Sequence, residues 1–400
     1  MRLADRGVRT LLLSADPAHS LGDVLGVGLG HDPVAVTANL HAVHLDTQRR
    51  FEQVWIGVQR FLLDLLRRAG MDAVTAAEVT VLPGVEEVLA LLAVREYAES
   101  GEYDALVVDC APTAETLRLL ALPDALAWYL RAVLPAQRRM ARGLRPLAAV
   151  LGKPEALPPE GLFDAVVALH DELLAVRDLL ERTGTVRLVL TPEAMVVAET
   201  RRTYTALALH GYRVDGVIAN RLVPPGRDAW RSAWVRAQTA RLDDVTSSFA
   251  GLPLYRAAYA RAEPLGVDAL RDLAAELYGE QPGLDPLSTG PDRDLLTVAA
   301  AGDGFELTLE LPLAARGEAA VARAGDDLVV TLTDSTGGAH RRVIALPSVL
   351  RRCEVAGGRL VEGDAEQPAR LVVRFRPDPR VWPASMPLPG EPGPEGGPRG

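Results

Sequence analysis

The sequence predicts an α/β domain with a mostly parallel sheet and helical insertions, followed by a small antiparallel β-sandwich. Over the first 280 or so residues, apolar runs of strand length alternate with longer stretches at helical spacing. Beyond about residue 295, short alternating strands follow one another without long helices. The stretch between them, residues 281–294, is rich in Pro, Gly and Asp and is typical of a linker.

The elements of the first part can be assigned in order. Residues 1–7 have the pattern of the last turns of a helix, closed by Gly7. The predicted strands are 8–13, 103–109, 186–191 and 214–220, and the predicted helices are 51–70, 85–100, most of 114–182 with Pro and Gly breaks, and 193–211. Strands that alternate with helices form a parallel sheet covered on both faces, so we expect these strands to be buried.

The second part consists of short predicted strands separated by turn residues. Its predicted strands are 305–311, which alternates strictly, and 328–332, 343–346 and 371–375. From residue 377 onward Pro and Gly dominate, and such a tail buries too little apolar surface to offset the entropy of ordering. We therefore expect a first domain at 1–281, a linker at 282–294, a sandwich at 295–377 and a disordered tail at 378–400.

Composition limits the class of protein. The chain has 400 residues, 48% of them hydrophobic, and a net charge of −10, which suits a large core and argues against general nucleic-acid binding. Its two cysteines, Cys110 and Cys353, lie far apart, which excludes a CxxC zinc site and a disulfide framework and fits a reducing cytosol. We find no signal peptide and no apolar run near the roughly 20 residues that span a bilayer, so we expect a cytoplasmic protein.

Two acidic residues follow predicted strands at their carboxyl ends. Asp16 lies in the loop after strand 8–13, and Asp109 closes strand 103–109. Ligands of parallel sheets bind at this edge, where carboxylates can hold water on a phosphate-bound Mg²⁺ or orient an attacking water. Each acid taken alone also fits a helix N-cap or a turn, and His19 alone fits a hydrogen-bonding loop residue. The pair together favours a nucleotide site.

Longer motifs point to one family. The stretches LSADPAHSLGD at 13–23, PGVEEVLAL at 83–91, YDALVVDCAPTAETLRLLALPD at 103–124 and VRLVLTPEAMVVAETRRTYTALALHGYRVDGVIANR at 186–221 resemble the ArsA-type ATPases. That family includes arsenite-pump ATPases and ATPases that target tail-anchored membrane proteins. The resemblance implies a P-loop NTPase-like fold for the first domain. The stretch RRVIALPSVLRRCEVAGGRLVEG at 341–363 resembles the small-heat-shock-like (α-crystallin-like) domain appended to some bacterial members.

The resemblance also implies roles, with ATP and Mg²⁺ as substrate and cofactor. Asp16 would polarise the attacking water, and Asp109 would hold a water bound to Mg²⁺, with no residue bound to the metal directly. Asn220 with Arg221 would read the adenine, and the loop around 253–264 would close over it. The remaining switch residues are, in the first switch, Pro17, His19, Ser20 and Asp23, and in the second, Pro112 and Thr113.

The chain departs from the family in its phosphate loop. The family's Gly-rich turn carries two lysines, whereas the only lysine here is Lys153, which Pro154 follows. One explanation is a fragment or truncated gene model, and the other is a short protein that has lost hydrolysis. We favour the first, because the other nucleotide motifs are intact and losing a central strand would expose strand edges. Without the loop, the 400 residues should hydrolyse ATP poorly.

Three functions are compatible with these residues. The favoured one is an ATPase that drives closure of a homodimer for protein targeting or chaperoning, with a client protein or apolar helix as partner. Apolar residues between positions 126 and 180, Leu173 among them, could line a client groove or simply form core. The alternatives are a non-hydrolysing scaffold and the driving subunit of an arsenite pump. The pump is disfavoured, since it needs a cluster of thiolates.

Overall fold

The computed structural model describes residues 1–14, 20–45, 85–110, 160–279, 294–315, 318–333, 337–364 and 367–382. The helix predicted at 51–70 and the insertions predicted within 114–159 lie outside these ranges. The chain divides into two compact units, one of Met1–Thr183 with Ala260–Leu287 and the other of Gly184–Tyr259 with Ser288–Gly400.

The helices and strands follow one another as listed here. The helices are α1 (Arg2–Asp5), α2 (Ser20–Leu25), α3 (Val85–Glu99), α4 (Glu160–Thr183), α5 (Ala194–Leu209), α6 (Ala229–Ser248), α7 (Gly266–Tyr278) and α8 (Ser348–Arg351). The strands of the two parallel sheets are β1 (Thr10–Ser14), β2 (Val34–Thr37), β3 (Leu40–His44), β4 (Ala105–Asp109), β5 (Val186–Leu190), β6 (Val214–Leu222) and β7 (Leu254–Ala258). Those of the C-terminal region are β8 (Leu296–Ala301), β9 (Gly304–Glu310), β10 (Ala319–Ala324), β11 (Asp327–Thr333), β12 (Ala339–Ala345), β13 (Cys353–Val361) and β14 (Arg370–Pro377).

The sheet of the first unit has the order β2-β3-β1-β4. Strand β1 runs parallel to both β3 and β4, whereas β2 pairs antiparallel with β3. Helix α1 ends as predicted, since Gly7 takes the left-handed conformation with φ of 86°. The mostly parallel sheet with helices confirms the predicted fold class, while β2 and β3 are strands that the sequence pattern did not predict.

Helices α3 and α4 pack against each other in the first unit. Leu91 of α3 lies buried against Leu173 and Val176 of α4. Arg95 of α3 also pairs with Glu172 of α4. Leu173 therefore belongs to the core rather than to a client groove.

The parallel sheet of the second unit has the order β5-β6-β7. Strand β7 occupies part of the stretch predicted as the loop 253–264, so that loop begins only after Ala258. The sequence pattern did not predict β7 because Arg256 interrupts a short apolar run. The run forms a strand because it pairs with β6, which is distant in sequence. At the amino edge, Asp215 accepts hydrogen bonds from Arg187 and Thr185, which ties β6 to β5.

The C-terminal region forms the predicted antiparallel sandwich. One sheet has the order β10-β11-β12 and the other the order β13-β14-β9-β8. Apolar side chains of both sheets form one buried cluster, and Leu209 at the end of helix α5 belongs to it. Thr205 of α5 also donates to the carbonyl of Pro312. The sandwich thus shares its core with the parallel sheet's helix instead of being joined to it by a linker alone.

The sandwich continues a little beyond β14. Residues 378–382, at the start of the tail predicted to be disordered, form a turn in which Trp382 N donates to Asp378 O over 2.8 Å. The Trp382 ring lies 6.1 Å from the Phe305 ring. Residues 383–400 lie outside the described ranges.

Strands β4 and β5 were expected to be buried on both faces, but each has an exposed valine. Val107 of β4 is 44% exposed and Val189 of β5 is 58% exposed. Among the described strands, β4 pairs only with β1 and β5 pairs only with β6. Each is therefore the outer strand of its sheet, where coverage by neighbouring elements is thinner. In the part of the chain that the structure describes, no helix is both long and apolar enough to cross a membrane.

Candidate functional site

Strands β1 and β4 end side by side at the carboxyl edge of the first sheet. Ser14, the last residue of β1, pairs in register with Asp109, the last residue of β4. Ser14 is fully buried and Asp109 is exposed, so the carboxylate is accessible at the edge where ligands of such sheets bind. The chain leaves β1 two residues before Asp16. Asp16 itself lies outside the described residues, so its convergence on Asp109 stays a prediction.

The other switch residues divide between described and undescribed parts. Pro17, His19, Pro112 and Thr113 fall outside the described ranges. Ser20 and Asp23 lie exposed on the short helix α2.

Helix α2 itself is firmly anchored. Leu21 and Leu25 are buried against Ala42 of β3. Gly22 allows close approach, because a Cβ there would lie 3.0 Å from the carbonyl oxygen of Val27. The far end of the first switch segment is thus fixed by packing.

An ion pair fixes β1 beside β4 at the opposite, amino edge. Arg9 Nη2 lies 2.6 Å from Asp104 Oδ1, while Arg9 Nε and backbone N donate to Asp104 Oδ2 over 3.0 and 3.1 Å. These bonds lower the pKa of Asp104 below its ordinary value. The register of β1 and β4 is that of their backbone pairing, and this exposed pair adds a side-chain link between them at the amino edge.

The end of β6 holds the predicted base-reading residues. Asn220 Oδ1 accepts a hydrogen bond from Arg221 N over 2.8 Å. A backbone N–H can only donate, so the oxygen of the amide must face it and Nδ2 must be the other terminal atom. Arg221 takes the left-handed conformation with φ of 53°, which turns the chain sharply after Asn220. The amide of Asn220 therefore has a defined orientation.

Gln238 of α6 supports this turn, a role that the sequence pattern did not predict. Its Oε1 accepts from Val223 N over 2.8 Å, and its Nε2 donates to Arg221 O over 3.2 Å. The side chain is buried, so both backbone groups are satisfied away from water. A lone glutamine in an arginine- and alanine-rich helix carries no local signal of such a role.

The two cysteines lie in different environments. Cys110 is exposed directly after β4. Cys353 is buried in the sandwich core, where its Sγ donates to the carbonyl of Val349 over 3.4 Å. Burial raises the pKa of the Cys353 thiol, so it stays protonated at neutral pH. Within the described ranges there is no group of three or more His, Cys, Asp or Glu side chains able to hold a metal ion.

Comparison with known proteins gives a consistent assignment. Residues 1–279 match the family described as anion-transporting ATPases, the ArsA ATPases, and residues 302–366 match the HSP20-like domain found in ArsA. A protein of Chlorobaculum tepidum named "Putative arsenical pump-driving ATPase" is 36% identical over 359 residues, which cover 88% of this chain and 87% of the relative.

Two eukaryotic relatives are more distant. The Arabidopsis thaliana protein "ATPase GET3B" is 30% identical over 299 residues, covering 68% of this chain and 72% of the relative. The Babesia bovis protein "ATPase ASNA1 homolog" is 30% identical over 226 residues, covering 55% of this chain and 60% of the relative. With the ATPase match spanning more than half of its length, this chain belongs to the ArsA ATPase family and carries that family's HSP20-like domain.

Proposed function

We propose that this chain is a subunit of a cytoplasmic, ATP-hydrolysing homodimer that captures and releases a client protein for targeting or chaperoning. One observation carries the ATPase part of the proposal. The accessible carboxylate of Asp109 stands in register with the end of β1, and the loop containing Asp16 begins at that end. Two acids at the carboxyl ends of adjacent parallel strands suit chemistry on a metal-bound phosphate.

The resemblance to the ArsA-type ATPases implies a separate role for each residue at this edge, and these roles suit phosphoryl transfer. Asp16 would polarise the attacking water, and Asp109 would hold a water on Mg²⁺. The first switch, with Pro17, His19, Ser20 and Asp23, and the second, with Pro112 and Thr113, would respond to the nucleotide. Leu21 and Leu25 anchor α2, so the helix that carries Ser20 and Asp23 has a fixed base from which such a response would start.

The donor set at this edge fits Mg²⁺. This ion prefers carboxylate and water oxygens and usually keeps several waters, so one exposed carboxylate such as Asp109 can hold it through water. When bound, Mg²⁺ neutralises charge on the transferring phosphate. Asp109 would orient the coordinated water, since a carboxylate accepts strong hydrogen bonds.

The orientation of the Asn220 amide favours adenine over guanine. Nδ2 is directed away from the oxygen that Arg221 N fixes, so it can donate to a ring nitrogen of the base. Oδ1 keeps a second lone pair, which can accept from the exocyclic amine of adenine. Guanine has a carbonyl oxygen at that position, and two acceptors facing each other would be unfavourable. We propose that Asn220, with Arg221 beside it, reads the base in this way.

The client and assembly parts of the proposal rest on the resemblance to ATPases that target tail-anchored proteins. We propose an ATPase domain at 1–281, a linker at 282–294, a sandwich at 295–382 that includes the turn after β14, and a disordered tail from residue 383 onward. The contact of the sandwich core with Leu209 supports a sandwich that moves as one body with helix α5. The family works across paired ATPase units, which supports a homodimer.

A pump-driving role is the less favoured candidate, although some relatives carry that name. Binding of arsenite by soft ligands needs several thiolates. Cys353 is buried with a raised pKa, which leaves Cys110 as the accessible thiol of the two. One thiol cannot form such a cluster within a single chain.

A non-hydrolysing scaffold is the other candidate. The 400-residue sequence contains no Gly-rich motif with lysines, so this chain alone should turn over ATP slowly. Near-normal turnover by the purified 400-residue chain would contradict this expectation.

Magnesium-dependent binding of ATP tests the proposed function. We expect Mg²⁺ to strengthen ATP binding by the wild-type chain relative to EDTA, and Asp109→Asn to remove most of that gain. Asp104→Asn is the matched control, because Asp104 precedes the same strand at its amino end. Equal magnesium dependence in Asp109→Asn and the wild type would contradict the role of Asp109.

The same protein can be used to test whether it binds a client protein or drives an arsenite pump. We expect an apolar helical peptide to change ATP affinity or turnover and arsenite to leave both unchanged. A response to arsenite alone would favour the pump. No response to either would favour the scaffold.

A further inference from the structure

An aromatic residue follows β7 directly beside the proposed base-reading turn. Strands β6 and β7 run parallel, with Leu222 in register with Ala258. The next residue, Tyr259, donates its backbone N–H to the carbonyl of Leu222 over 2.7 Å. Tyr259 therefore sits at the same carboxyl edge as Asn220 and Arg221, within the same compact unit.

Tyr259 is 57% exposed. Within the described part of the chain, its ring and hydroxyl make neither a ring contact nor a hydrogen bond. The exposed Trp230 and Trp234 differ in this respect, since their rings lie 6.2 Å apart. A single exposed aromatic is ordinary, so the location of Tyr259 at the ligand edge is what distinguishes it.

The backbone that carries Tyr259 is bonded to the turn that Gln238 supports. Gln238 bonds to Arg221 O and Val223 N, and Leu222 between them bonds to Tyr259 N. A fixed backbone limits the ring to rotation about its side-chain bonds. Such a site is preorganised, so little ordering of backbone is needed when a ligand arrives.

We propose that the Tyr259 ring stacks on the adenine face while Asn220 binds the edge of the same base. This inference rests on the proposed ATP-binding function and adds to it a residue that sets affinity. Every base has a π-face, so stacking supplies affinity without distinguishing bases. Hydrogen bonds in the plane of the base supply selectivity. The two residues would thus divide affinity and selectivity between them.

Equilibrium binding of ATP to the full 400-residue chain tests the stacking. Alanine substitution of an aromatic that stacks on a base costs about 1–3 kcal/mol, or roughly 5- to 150-fold in affinity. We expect Tyr259→Ala to weaken ATP binding about 10-fold. Tyr259→Phe, which keeps the ring, should stay within about 2-fold of the wild type. Trp230→Ala is the control for loss of another exposed aromatic, and it should leave ATP affinity unchanged.

The possible outcomes separate the two proposals. If the wild type binds ATP and Tyr259→Ala binds it equally well, the stacking is wrong and the ATP function stands. If the wild type fails to bind ATP, both proposals fall. If Tyr259→Phe is as impaired as Tyr259→Ala, the hydroxyl rather than the ring is responsible, and the stacking is again wrong.

Photolabelling of the unmodified chain checks the contact without any variant. Irradiation with 8-azido-ATP followed by trypsin should place the label on residues 257–261, because the chain can be cut after Arg256 and Arg261. Excess ATP should prevent the labelling. ATP-protected label found only outside residues 257–261 would overturn the proposal.

Discussion

Arg342 of β12 donates a hydrogen bond from Nη1 to the carbonyl oxygen of Leu209, 2.8 Å away, at the end of helix α5. The last carbonyls of a helix lack partners within it and carry the negative end of its dipole, so a cation there is favourable. Arg342 is buried, which strengthens the interaction and raises the cost of removing it. This contact and the shared core around Leu209 join the sandwich to the helix that covers β5 and β6.

We expect Arg342→Met to lower the free energy of unfolding by about 1–3 kcal/mol, because it leaves the carbonyl of Leu209 buried without this donor. Denaturant unfolding measures the loss, and hydrogen exchange should report faster opening of residues 206–209. Arg359→Met on the exposed strand β13 is the matched control. A loss no larger than that of the control would show that the bond adds nothing to stability.

Asp215 is the most buried acid of the ion pairs described here. It accepts from Arg187 Nε over 3.0 Å and from Thr185 Oγ1 over 2.7 Å, and its side chain is 7% exposed. We expect Asp215→Asn to cost about 3 kcal/mol, because it leaves the guanidinium of Arg187 without its counter-charge. Thermal or denaturant unfolding checks this. The exposed pair of Arg9 and Asp104 supplies the comparison, and Asp104→Asn should cost much less.

Gly216 has no room for a side chain. A Cβ there would lie 2.9 Å from Cε2 of Tyr255 and 3.2 Å from the carbonyl oxygen of Pro253. We expect Gly216→Ala to destabilise the chain by about 1–3 kcal/mol through overpacking between β6 and β7. Gly28→Ala is the control, since a Cβ at Gly28 meets nothing within 4 Å. Equal unfolding midpoints for the two variants would contradict this account of the close packing.

Gln238 is expected to act on nucleotide binding without touching the nucleotide. Gln238→Leu removes both of its hydrogen bonds to the Arg221–Val223 segment, so the turn after Asn220 should loosen. We expect several-fold weaker ATP binding and a loss of about 1–3 kcal/mol in stability from the unsatisfied backbone groups. Ala237→Leu places the same side chain at the exposed neighbouring position and should leave ATP affinity unchanged. If Gln238→Leu binds ATP as tightly as the wild type, the turn that Gln238 supports plays no part in binding the base.

The cysteines should differ sharply in reactivity. Cys110 is exposed, whereas Cys353 is buried and its pKa is raised. Because the thiolate is the reacting form, a thiol reagent at pH 8 should modify one cysteine per native chain quickly and the second only in denaturant. Cys110→Ser should abolish the fast phase. Fast reaction of two thiols in the native wild type would contradict the burial of Cys353.

The sequence predicted local patterns well and distant pairing poorly. Strand β4 and helix α3 were predictable because apolar residues repeat at short range. Strand β7 was not, since Leu254–Ala258 gains its strand character from β6, about 37 residues earlier in the chain. The position of Asp109 at the carboxyl edge followed from the strand alone.

The supporting residues of the candidate site escaped prediction for the same reason. Gln238 and Tyr259 are ordinary in sequence, and only the fold brings each of them to the end of β6. Arg342 likewise gave no sign that it would bind the end of a helix 133 residues away. Such contacts depend on tertiary structure, which composition and periodicity do not encode locally.

The outer positions of β4 and β5 have a practical consequence for handling this protein. Each offers, on the side away from its partner in the described sheet, a row of backbone amides and carbonyls that can accept another strand. Val107 and Val189 place exposed apolar side chains on these strands, and the charges there are those of Asp109 on β4 and Arg187 on β5. If these edges are also open in solution, the 400-residue chain should associate as its concentration rises, which light scattering over a dilution series would show.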